Sequence, residues 1–116
     1  MTLTNNEASI GRIAYLRQLA LDSLKDYSGG FVGLERVDRD LKSIIRSLEE
    51  VADPSWTNSL LRQWGQLEII YALILDEGRF RLTHEEEADV REIIATIRTE
   101  LQRYEPPSPL DAGEVR

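Results

Sequence analysis

Apolar residues recur at spacings of three and four in four successive stretches of this chain, and no other feature constrains its fold as much. Ile10, Ile13, Leu16, Ala20, Leu24 and Tyr27 form the first stripe. Leu34, Val37, Leu41, Ile44, Ile45, Leu48 and Val51 form the second. Trp56, Leu60, Trp64, Leu67, Tyr71, Ile74 and Leu75 form the third, and Leu61, Ile70 and Leu73 widen it. Val90, Ile93, Ile94, Ile97, Leu101 and Tyr104 form the fourth. Each stripe occupies one side of an α-helix, and a single helix of this length is marginal in water, so the four must pack on one another. The expected fold class is therefore all-α: an antiparallel four-helix bundle with short connections.

Start and stop signals punctuate the stripes. Thr4 with Glu7, and Thr83 with Glu86, have the spacing of a capping box. Gly29-Gly30 ends the first helix, and the second begins near Val32 or Gly33. Asp53-Pro54 offers an N-cap followed by proline at the first helical position. Gly78 ends the third helix. Gly65 lies inside it, at a cost of about 1 kcal/mol relative to alanine, which predicts a close helix crossing there. The width of the third stripe predicts that this helix is the most buried of the four. The bundle domain is expected over residues 1–104, followed at 105–116 by a flexible tail with three prolines. No solenoid period is present, and Phe31-Val32 and Arg79–Leu82 are too short to build a sheet.

Charge and composition narrow the function. The formal net charge is −7 and the pI about 4.7. Nucleic acid and anionic membrane surfaces attract clustered Lys and Arg, so neither is the expected partner. A basic protein is. Residues 1–58 hold seven basic and nine acidic side chains, whereas 59–116 hold seven and twelve. Without cysteine the chain has no disulfide, zinc-thiolate site or thiol nucleophile. The opening MTLTNNEASIGR has neither the basic nor the apolar region of a secretory signal, and no apolar run nears the roughly 20 residues of a membrane span, so the cytoplasm is the expected compartment.

Catalytic patterns are absent. The single histidine, His84, stands in THEEE rather than in the HExxH of zinc proteases. No phosphate-binding loop, dinucleotide fingerprint or nucleophile elbow occurs. The ligand spacings of an EF-hand and of di-iron bundles are missing too. No catalytic residue, metal ligand or cofactor is expected.

Three features remain. Glu68 falls beside the third stripe, where it is either bridged to an arginine such as Arg36, Arg39 or Arg46, or left for a basic partner. Trp64, with Leu60, Leu61 and Leu67 as helical neighbours, is expected to be buried, and Trp64→Ala to cost about 3–5 kcal/mol. Trp56, in the first turn, reads as a loop staple or as an exposed interface anchor. The densest charge lies in DEGRFRLTHEEEADVRE, residues 76–92. Negative charge in a first turn suits the helix dipole, but the same residues would also steer a basic protein into contact. The candidate partner-binding residues are thus Asp76, Glu77, Glu85, Glu86, Glu87, Asp89 and Glu92.

The run YSGGFVGLERVDRDL, the helix WGQLEIIYALILDEG and the closing LTHEEEADVREIIATIRTEL resemble small acidic all-helical bacterial immunity proteins, of the colicin D type and of contact-dependent growth inhibition systems. The likeness covers most of residues 8–104 and is one of pattern, without a diagnostic motif. It implies a non-enzymatic inhibitor, monomeric or homodimeric, that neutralises a basic nuclease-like toxin. Two other readings stand beside it. One is a homo-oligomeric scaffold or regulatory module, with part of the third stripe around Trp56 and Leu60 exposed on the monomer. The other is a small enzyme or carrier with a pocket near Glu68, Trp64 and Tyr71.

Overall fold

Four helices form where the four stripes run: α1 Asn5–Lys25, α2 Gly30–Glu49, α3 Pro54–Asp76 and α4 His84–Arg103. The computed structural model describes residues 5–104, with side chains from residue 7. Thr4 of the first capping box and the tail at 105–116 therefore lie outside the described residues.

The local signals act largely as expected. The Asp53 carboxylate accepts the Ser55 N–H at 3.1 Å, with Pro54 at the first helical position. Thr83 Oγ1 accepts the Glu86 N–H at 3.1 Å, and Glu86 accepts the Thr83 N–H at 2.8 Å, which completes the capping box. The α1–α2 connection is tighter than its sequence suggests. Gly29 (φ 81) and Gly30 (φ 78) both take the left-handed region, so the pair turns the chain and also starts α2, two or three residues ahead of the expected position.

The helices pack as a ring in chain order. α2 lies between α1 and α3, α4 follows α3, and α1 closes the ring against α4. Side-chain contacts fix the directions. The Trp56 indole N–H, at the start of α3, donates to the Glu100 carbonyl near the end of α4 at 3.2 Å. Asp26, just past α1, pairs with Arg36 in the first half of α2. Arg17 of α1 donates to the Tyr104 carbonyl at 2.7 Å. Neighbours are thus antiparallel, and the all-α four-helix bundle is the observed fold.

The core takes Ile13, Leu16, Ala20 and Leu24 from α1, and Leu34, Val37, Leu41, Ile45 and Leu48 from α2. Val90, Ile94, Ile97 and Leu101 come from α4. α3 differs from the expectation. Its fully buried side chains are Leu60, Leu67 and Ile74, one every seven residues, a narrow seam rather than a wide face. Leu73 and Leu75, assigned to the stripe, are 47% and 51% exposed, and Ile69 is 69% exposed. Only α2 and α4 flank α3 substantially, so the side away from the bundle axis has nothing to pack against.

Of the tryptophans, Trp56 fits the loop-staple reading and Trp64 departs from its expected burial. Trp56 is the buried one, packed on Tyr104 with ring centroids 3.8 Å apart and the rings tilted by 30°. Trp64 is half-buried and donates its indole N–H to the Asp38 carbonyl at 3.0 Å. A polar ring edge that needs an acceptor on α2 holds Trp64 at the α2–α3 boundary. Gly65 meets no close crossing, since a Cβ built there has nothing within 4 Å.

Candidate functional site

The acidic segment from 76 to 92 does not behave as one patch. Asp76 ends α3, Glu77 caps it, Glu85, Glu86 and Glu87 fill the first turn of α4, and Asp89 and Glu92 follow. Glu77 and Glu86 close on a single arginine. Arg79 Nε donates to Glu77 at 2.6 Å, and its two terminal nitrogens donate to the two Glu86 oxygens at 2.8 and 2.7 Å. The remaining capacity of Arg79 reaches the Arg81 carbonyl at 3.2 Å. This bidentate clasp ties the α3–α4 connection to the start of α4. The Arg79 guanidinium, and then the Thr83 N–H, hold the Glu86 carboxyl down at about 2.

Glu87 faces another way. It accepts from Arg91 at 3.2 Å and lies over the α1–α2 turn, where a Cβ on Gly29 would meet its Oε1 at 2.9 Å. Beneath it the Tyr27 hydroxyl is buried with no hydrogen-bond partner among the described residues. Burial first, and Glu87 second, raise the Tyr27 pKa.

Glu85, Asp89 and Glu92 share one stripe of α4, because spacings of four and seven return to the same side of a helix. All three are exposed, and none of their carboxylates enters an ion pair or hydrogen bond among the described residues. Asp89 and Glu92 line a groove of about 350 Å³ between α3 and α4, together with Gln63, Gln66, Ile70 and Thr96. Of the seven residues, four carboxylates are without an ion pair among the described residues, and three of them, Glu85, Asp89 and Glu92, stand in a row beside an amide-lined groove, on a helix start that Arg79 ties to the α3–α4 connection. Asp76 is exposed at the far end of α3.

A second acidic site lies at the α2–α3 seam. Glu68 is not bridged to Arg36, Arg39 or Arg46. Arg36 serves Asp26 and Asp40, and Arg46 serves Glu49. Glu68 instead lies near Asp38 across the seam, and the Asp38 Oδ1 is buried with no hydrogen-bond partner among the described residues. Burial and a neighbouring carboxylate both favour the protonated form of Asp38. Asp38 is 6% exposed, and burial, followed by the Glu68 contact, raises its pKa to about 7. Lys42 on the same helix lowers it, less strongly. Sequence reasoning missed Asp38, although a signal was present: Leu34, Asp38, Leu41 and Ile45 run at spacings of four, three and four, which puts a carboxylate in a core register.

No group of three or more His, Cys, Asp or Glu residues that would hold a metal ion is found among the described residues. No described helix is long and apolar enough to cross a membrane. No protein-family model, curated protein or solved structure matches the chain.

Proposed function

We propose that this chain is a non-enzymatic protein-binding module, an immunity-type inhibitor that neutralises a basic, nuclease-like bacterial toxin in the cytoplasm. The observation that carries the reading is the row Glu85, Asp89 and Glu92, exposed and without internal counter-charges, in a chain of net charge −7. Carboxylates in a row on a rigid helix present evenly spaced negative charge, which complements a basic cleft built for a phosphate backbone. Gln63, Gln66 and Thr96 beside the row supply neutral donors and acceptors that would set register once charge has brought the surfaces together.

The test couples capture to inhibition. The immobilised chain is exposed to the source organism's lysate supplemented with the products of neighbouring genes. Retention of one basic protein, whose activity falls in proportion to added chain, supports the inhibitor. The variant Glu85→Gln/Asp89→Asn/Glu92→Gln should keep the fold and lose most of that affinity. Unchanged affinity would remove the α4 row from the reading.

A homo-oligomeric module is the second reading, favoured by the exposed aliphatic residues of α3. The expected exposure of Trp56 and Leu60 is not what supports it, since both are buried. Ile69 and Leu73 take their place.

A further inference from the structure

The outer side of α3 carries Arg62, Gly65, Ile69, Ala72, Leu73 and Asp76. Residues three, four and seven apart return to one side of a helix, and this side faces away from both α2 and α4. It combines four observations that the fold leaves without purpose. Ile69 is 69% exposed and Leu73 47%. Gly65 weakens the helix and opens onto empty space. Arg62 and Asp76 are exposed and enter no ion pair among the described residues.

These residues are arranged symmetrically about Ile69. Arg62 precedes it by seven positions and Asp76 follows it by seven. Gly65 precedes it by four and Leu73 follows it by four. We propose that this face is a self-complementary interface: two copies of the chain pack their α3 helices antiparallel about a two-fold axis through Ile69.

An antiparallel two-fold pairing sets each position opposite its mirror position on the second copy, so every contact occurs twice. Ile69 then meets Ile69 of the second copy on the axis. Leu73 enters the gap over Gly65 of the second copy, a knob in a hole that any larger residue at 65 would narrow. Arg62 meets Asp76 of the second copy roughly 10 Å from the axis, two helical turns away. The arrangement needs opposite charges at the two ends and a hole opposite a knob, and both are present. A single helix face is a small contact, so the dimer is weak and concentration-dependent.

This inference stands apart from the inhibitor reading. It uses Asp76 alone of the seven acidic candidates and leaves Glu85, Asp89 and Glu92 on another helix.

Sedimentation of the full chain over a concentration series tests it. The wild type should pass from monomer to dimer. Ile69→Asp puts like charges on the axis and should abolish the dimer with the helical content unchanged. Arg62→Glu and Asp76→Arg should each weaken association several-fold, and the double variant should restore it, because both pairs are re-formed with reversed sign. The chain has no cysteine, so Ile69→Cys adds a unique thiol, which should oxidise to a covalent dimer far faster than Ala95→Cys on exposed α4. A wild type that stays monomeric throughout overturns the proposal and leaves the face to a different protein. A dimer indifferent to Ile69→Asp also overturns it. Failure of the double reversal to restore association overturns the antiparallel register.

Discussion

Helices α2 and α3 lie side by side with nearly equal length, and they use apolar residues in opposite ways. α2 buries Leu34, Val37, Leu41, Ile45 and Leu48 almost completely and turns its charges outward, Asp38 excepted. α3 has the richer supply of aliphatic and aromatic residues, yet it buries completely only Leu60, Leu67 and Ile74 and exposes Ile69, Leu73 and Leu75. Apolar content therefore measures what a helix is able to bury, and the neighbours decide what it does bury. Where apolar supply exceeds what the neighbours cover, the remainder lies on the surface.

The first way to break this comparison is to truncate one fully buried leucine on each helix. Leu41→Ala and Leu67→Ala should each cost about 2–5 kcal/mol in denaturant unfolding, because both leave a cavity in packed surroundings. A cost below about 1 kcal/mol at Leu67 would show that the α3 seam is not core.

Next come the tryptophans. Trp56→Ala should cost about 3–5 kcal/mol, and Trp64→Ala less, about 1–3 kcal/mol, because the half-buried ring leaves a site that water can fill. Equal losses would return Trp64 to the core.

A third measurement sharpens the seam between the two helices. The folded pKa of Asp38 is about 7, above its ordinary 3.8. The folded chain binds that proton more tightly than the unfolded chain. The Asp38 contribution is therefore fully present below about pH 4 and is lost as pH rises towards 7. Glu86 acts oppositely: its depressed value of about 2 gives a contribution present above 4.5 and lost as pH falls towards 2. Melting temperature should thus be highest in mildly acidic buffer and decline towards pH 8. Asp38→Asn, which does not titrate, should flatten that upper limb. A wild-type profile that rises from pH 5 to 8 would contradict the raised Asp38 pKa.

The smallest effect is at Gly65. With no neighbour within 4 Å, Gly65→Ala should stabilise the isolated monomer by about 0.5–1 kcal/mol, read at low protein concentration. Destabilisation of the monomer would mean that some group packs closely there after all.

Much of the bundle was legible in the chain, residue by residue. The 3.6-residue period located all four helices. Asp53-Pro54 and Thr83 with Glu86 marked two helix starts correctly, because a cap is made with backbone groups two or three residues away. Gly29 and Gly30 were read as the stop of α1, but α1 already ends at Lys25 and the glycines start α2, which depends on where the turn delivers the chain. The acidic segment was visible, but its division was not. Arg79 clasps Glu77 and Glu86 across a non-helical connection whose path no periodicity describes. Glu85, Asp89 and Glu92 could be grouped by spacing alone, yet their freedom from counter-ions depended on where Arg79 and Arg91 pointed.

What the sequence determined by itself was local: which residues form helices, where those helices begin and stop, and which residue of each turn is apolar. These follow from backbone hydrogen bonds and steric rules that act within about four residues. What only the tertiary structure decided was which apolar residues found a neighbour, and which charges met. Asp38 faces Glu68 instead of an arginine, and Trp56 rather than Trp64 is the buried ring, because the rotation and register of α3 against α2 and α4 follow from how all the stripes fill one shared core. That fit is a property of the four helices together, and no window of one helix contains it.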